Sequence, residues 1–200
     1  MPADTILLPS GRATDAAATA EQLQQIFRRL EEELDAGALG IGIGLQYVPG
    51  ASRLEIIETF QLAARRHVPV FTHVRSTGYN EPGSGIEAVN EVIGAAAISG
   101  APLHIAHINS SCRAQVADCL SLIEGARAHG LEVTTEAYPY VAAMTRINSA
   151  LFNPGWQEQY GISYGDIMLP GTGERLTKER FDELHKAQQA PRVVMFVNWS

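Results

Sequence analysis

Basic charge is scarce in this chain. Fifteen lysines and arginines face 22 aspartates and glutamates, for a net charge of −7 and a pI near 5.3. That balance argues against nucleic acid and against an anionic membrane surface as partners. Lysine occurs only at Lys178 and Lys186, in a charged C-terminal region, so a catalytic lysine has almost no candidates. No run of about eighteen apolar residues is present, and no transmembrane helix is expected. The start, Met1-Pro-Ala-Asp, lacks the basic and apolar regions of a secretory signal. A serine elbow of the G-x-S-x-G kind is also missing. Cysteine is limited to Cys112 and Cys119, seven apart in one expected helix. Two helical turns would separate them by about 10 Å. A disulfide is then a poor fit, and a reducing cytoplasm is the simpler setting.

What the chain does have is apolar content, 46% of 200 residues, enough for one sizeable core. Residues 1–20 have no clear period and read as loop or a frayed end, leaving 21–200 as the domain. Leu23, Ile26, Phe27, Leu30 and Leu34 recur at helical spacing, and Gly37 stops that helix. Residues 38–45 alternate small and branched side chains. They suit a strand, with Gly40, Gly42 and Gly44 allowing close backbone approach. The competing phosphate-loop reading fails on spacing, which is Gly-x-Gly-x-Gly. Ser52 and Ser84 are placed to cap the helices that follow them.

The organising stretch is 68–140. Three short apolar runs there end in polar residues: at His73, at His107 and at Glu136. Helical segments at 85–99 and 113–129 separate them. With 39–44 and 192–197, this predicts about five strands in an α/β fold of parallel βα repeats. Such repeats form part of a (β/α)8 TIM-like barrel, which five strands rarely close. A fragment of a larger protein, or a truncated product, is the expectation. Residues 141–172 read as a long loop over a site, and Thr177 caps a last charged helix.

Chemistry in parallel sheets gathers where strands end. His73 and His107 stand at such ends and read either as metal ligands or as hydrogen-bonded loop anchors. Alternation puts His104 on the other face, under a helix. Ser110 and Ser111 read as helix caps, and Glu136 as a ligand or a salt-bridge partner. Tyr138 and Tyr140 can donate to a substrate oxygen or pack as aromatic lids. Arg75 can pair with a substrate carboxylate or clamp a loop through Glu81 or Glu87. Arg146 has the same two readings. No residue is singled out as acid, base or nucleophile.

Taken together, four runs resemble the D-aminoacylases, the N-acyl-D-amino-acid deacylases of the amidohydrolase superfamily. They are Gly37-Ala-Leu-Gly-Ile-Gly-Ile-Gly-Leu-Gln-Tyr-Val-Pro-Gly50, Phe71-Thr-His-Val-Arg75, Ile105-Ala-His-Ile-Asn109 and Glu136-Ala-Tyr-Pro-Tyr140. The run from Thr72 to Ser76 together with His107-Ile-Asn-Ser-Ser111 is most similar to the D-glutamate deacylase branch. The resemblance implies a metal-dependent (β/α)8 barrel with a small β-sandwich. It implies that His73 and His107 are zinc ligands at the ends of barrel strands five and six, and that the segment from Tyr138 to Tyr140 contacts the substrate. In the family, zinc activates a water and polarises the amide carbonyl, and a strand-eight aspartate moves the proton. The family's His-x-His pair, its early-strand cysteine and that aspartate are not found in these residues. Asn109 stands where many members have a lysine, which shifts the substrate-carboxylate contact toward Arg75 or Arg146. The expectation is therefore a segment of an N-acyl-D-amino-acid deacylase, N-acyl-D-glutamate being the suggested substrate, inactive by itself. The rivals are a non-catalytic half barrel that self-associates through open strand edges, and a small-molecule binding module.

Overall fold

Thr19 opens the first regular element. Its hydroxyl accepts from the Gln22 amide, and the Gln22 side chain accepts from the Thr19 amide, closing a capping box on α1 (Ala20–Asp35). The computed structural model describes residues 15–196. These fall into two compact units, one reaching Ala137 and the other starting at Tyr138.

In the first unit α1 precedes β1 (Ile41–Gly44), α2 (Arg53–Arg66), β2 (Val70–His73), α3 (Gly85–Ser99) and β3 (Leu103–Ile105). Then come α4 (Ile108–Cys112), α5 (Val116–Ala128) and β4 (Val133–Thr135). Ser52 and Ser84 cap α2 and α3 through the Glu55 and Glu87 amides. The four strands are parallel and lie in chain order, with Ile41, Val70, Leu103 and Val133 in register. This is a ribbon of parallel βα repeats, as the residue pattern predicts. Val70, Leu103, Ile105 and Val133 are buried on one face, in a core shared with Phe60 and Leu62 of α2, Val89 and Val92 of α3, and Ile123 of α5. Gly40 matters for closeness: a Cβ there would lie 2.7 Å from both the Phe71 ring and the Pro69 carbonyl oxygen. A Cβ on Gly44 would lie 3.1 Å from the Tyr47 ring, while Gly42 meets nothing within 4 Å, so the expected close approach holds at both ends of this strand and not in its middle.

The opposite face carries Phe71, His104 and Thr134, which share one register row. His104 therefore lies on the same face as His73, two residues on from Phe71, and not under a helix as alternation to His107 suggested. Its Nδ1 lies 2.9 Å from the Thr134 hydroxyl, and its ring sits 5.5 Å from that of Phe71. The period of two fails because β3 ends at Ile105 and the backbone turns left-handed at His107, where φ is 38°.

The segment 113–129 is not one continuous helix either. α4 ends at Cys112, Arg113 takes φ 51°, and α5 begins at Val116. This break brings the two buried thiols into hydrogen-bond contact, where an unbroken helix would hold them apart. The contact and burial keep the Cys112 thiol protonated, its pKa raised.

The second unit overturns the long-loop expectation. It holds β5 (Ala142–Arg146), α6 (Trp156–Tyr160), β6 (Ile167–Met168), α7 (Lys178–His185) and β7 (Arg192–Phe196). β7 lies between β5 and β6, antiparallel to both. The last apolar strand thus does not extend the parallel ribbon. Trp156, Tyr164 and Phe181 pack ring against ring at 5.2–5.5 Å, which accounts for the aromatics that read as loop. Among the described residues no helix is long and apolar enough to cross a membrane.

Candidate functional site

Parallel register puts the exits of β1 and β2 side by side, with Gly44 opposite His73. β3 joins the row one strand further. His73 closes β2. His107 follows β3 by two residues and caps α4, with φ 38° and ψ 58°. A left-handed backbone at a non-glycine residue is costly and must be held by its surroundings. Glu136, just beyond β4, does this twice. Its carboxylate accepts the His107 amide, and its backbone carbonyl accepts the Ile108 amide at 2.8 Å.

The two rings meet nearly edge to face, with centroids 4.5 Å apart and planes at 64°. His73 Nδ1 and His107 Nε2 are 2.7 Å from each other. The far nitrogens are engaged as well. His73 Nε2 bonds the Gln46 side-chain oxygen. His107 Nδ1 lies 3.1 Å from the Ser110 hydroxyl and 3.2 Å from that of Ser111. The serines thus anchor the His107 ring inside α4 and cap neither helix: His107 caps α4 and Gln115 caps α5. The Tyr47 ring stacks on His73 at 5.2 Å.

Burial, reinforced by His107, lowers the His73 pKa to about 3. Burial also lowers that of His107, against the opposing pull of its backbone hydrogen bond and of Glu136. Both rings are then neutral near pH 7, the form that binds a metal. Two imidazoles with converging inner nitrogens and hydrogen-bonded outer ones fit a borderline-soft divalent ion. Among the described residues, no group of three or more His, Cys, Asp or Glu side chains is placed to hold a metal. The donors present are two of the three that a catalytic zinc commonly takes.

Arg75 is held as a clamp. It meets both carboxylate oxygens of Glu91, and the Pro49 and Ala51 carbonyls at 2.6 and 2.9 Å. Arg53 joins Glu91 at 3.0 Å. The clamp partner is Glu91, where Glu81 or Glu87 was expected. Asn109 is half-buried in α4, two residues past His107. Tyr138 and Tyr140, with rings 6.0 Å apart, and exposed Arg146 belong to the second unit. Sequence reasoning missed Gln46 and Tyr47, placed in a loop. Nothing in the sequence alone marked them: their place comes from the register, which sets residues just past Gly44 beside the ring of His73.

No family model matches the chain. An N-acyl-D-glutamate deacylase of Alcaligenes xylosoxydans xylosoxydans is 31% identical over 144 residues, 69% of this chain and 28% of that protein. The chain is a partial relative of the D-aminoacylases. The fold is shared with solved structures of this kind. The N-acyl-D-glutamate deacylase of Bordetella bronchiseptica, solved with zinc and a phosphonate inhibitor, matches 94% of this chain and 41% of its own, at a TM-score of 0.70 and 22% identity. A D-aminoacylase studied for its binuclear metal centre matches 98% of this chain and 42% of its own, at a TM-score of 0.72 and 22% identity. The chain thus spans between about a quarter and two fifths of these relatives. It shares part of their amidohydrolase (β/α)8 barrel fold.

Proposed function

We propose that this chain forms part of the metal-binding mouth of a zinc amidohydrolase that cleaves the amide bond of N-acyl-D-amino acids, with N-acyl-D-glutamate the favoured substrate. The observation that carries this reading is the 2.7 Å approach of His73 Nδ1 and His107 Nε2 at neighbouring strand exits. These two nitrogens would hold the ion. When bound there, zinc supplies polarisation of the amide carbonyl and a lowered pKa for water.

The chain's own residues do the arranging. Glu136 fixes the turn that presents His107, Ser110 and Ser111 hold its outer nitrogen, and Arg75 with Glu91 secures the loop that carries Gln46 and Tyr47. The resemblance makes Tyr138 and Tyr140, in the second unit, candidates for substrate contact. With Arg75 held by Glu91, the candidates for the substrate's carboxylate are Asn109 in the first unit and Arg146 in the second. Two imidazoles do not complete a hydrolytic centre, so the 200 residues alone bind zinc without turning over N-acetyl-D-glutamate.

The test is zinc stoichiometry by elemental analysis after dialysis at micromolar free zinc, for the chain and its His73→Asn and His107→Asn variants. One zinc per chain, lost in both variants, with no hydrolysis, is the expected result. Absence of bound zinc, or binding that survives both substitutions, overturns the metal reading in favour of a non-catalytic half barrel. Turnover by the isolated chain would retain the deacylase reading and overturn the claim that the site is incomplete.

A further inference from the structure

β1 ends at Gly44 and the chain winds through one tight turn, Leu45–Tyr47. Leu45 is fully buried, which anchors the turn, and Gln46 is only 7% exposed. A long polar side chain so deep in the mouth needs a partner. The partner is the outer nitrogen of His73.

An amide oxygen can only accept a hydrogen bond, so the nitrogen facing it must be N–H. A neutral imidazole carries one proton. With that proton on Nε2, the lone pair of His73 is on Nδ1, where it accepts the His107 Nε2–H across 2.7 Å; a bound metal would take the place of that His107 proton, the His73 lone pair being already set. The reversed amide would donate to Nε2 and drive the proton to Nδ1, where it would block the inner position. We infer that Gln46 is a positioning residue: its side-chain oxygen fixes His73 as the Nε2–H tautomer and so directs the Nδ1 lone pair into the mouth. This rests on the metal reading for its purpose, though the tautomer itself does not need a metal. Hydrogen bonding to the outer nitrogen is the usual way in which a protein orients a ligating histidine.

The experiment uses the full chain with uniform ¹⁵N labelling. The His73 tautomer is read from two-bond ¹H–¹⁵N correlations in the presence of a chelator, with the signal assigned by its loss in His73→Asn. Zinc affinity is then measured by competition with a chromophoric chelator. The wild type and Gln46→Glu, which keeps an oxygen acceptor, are expected to show Nε2–H. Gln46→Leu is expected to show a mixture of tautomers and a zinc affinity reduced about 10- to 100-fold. An Nδ1–H ring in the wild type, or an unchanged tautomer in Gln46→Leu, overturns the inference. A tautomer that follows residue 46 as expected, in a chain that binds no zinc, upholds the role of Gln46 and overturns the metal reading alone.

Discussion

His73 is neutral because burial, with His107 alongside, lowers its pKa from 6.5 to about 3. The consequence for stability has a definite sign. Between those two values the unfolded chain binds a proton that the folded chain refuses, so stability is intact above pH 6.5 and falls as the pH drops toward 3. The lowered pKa of His107 acts in the same direction. With a chelator present, urea midpoints from pH 8 to pH 4 are expected to fall more steeply for the wild type than for His73→Asn. The difference reaches on the order of 3 kcal/mol at pH 4. Parallel curves for the two proteins would show that the ring is not buried as described. Both histidines were legible in the sequence, because apolar runs that end in polar residues mark strand exits. Gln46 was not, because its role depends on β1 standing next to β2, and one chain position says nothing about its neighbour across a sheet. Arg75 was half legible: a clamp was one of its two readings, but Glu91 lies sixteen residues away, across a loop and a helix turn.

At the scale of elements, the βα rhythm of the first unit could be read from residue pattern, since caps at Ser52 and Ser84 and αL ends such as Gly100 act locally. The turns that shape the site could not. The left-handed residue at His107 is imposed from another strand, by the Glu136 carboxylate and backbone carbonyl together. Glu136→Ala removes the side-chain half of that grip and should cost about 1 kcal/mol in a urea melt. It should also weaken zinc binding, because the His107 ring loses its fixed approach. Glu136→Gln keeps an oxygen acceptor and should lie close to wild type in both measurements. If Glu136→Ala matched wild type in both, the turn would be held by the backbone alone. The second unit was misread for a related reason. β6 is two residues long and β5 pairs with a strand about fifty residues later, so neither shows a period strong enough to announce itself.

At the scale of the molecule, the ribbon β1-β2-β3-β4 has β1 and β4 at its margins, with no further strand paired to either among the described residues. Open parallel edges expose rows of backbone donors and acceptors that another chain can match. Beside the β1 margin Leu39 is 87% exposed, and Phe71, on the open face, is 44% exposed. A net charge of −7 opposes association and salt screens that repulsion. The 200-residue chain is therefore expected to self-associate in a concentration-dependent way, more strongly at 0.5 M than at 0.05 M sodium chloride (about a threefold change in Debye length). Sedimentation velocity across a hundredfold range of concentration measures this. Leu39→Lys, which places a charge beside the margin without touching the histidine pair, should shift the distribution toward monomer at both salt concentrations while leaving zinc stoichiometry unchanged. A wild-type chain that stayed monomeric throughout would mean that its margins are already protected. A Leu39→Lys chain that associated like the wild type would move the contact away from β1, leaving the β4 margin as the surface to test.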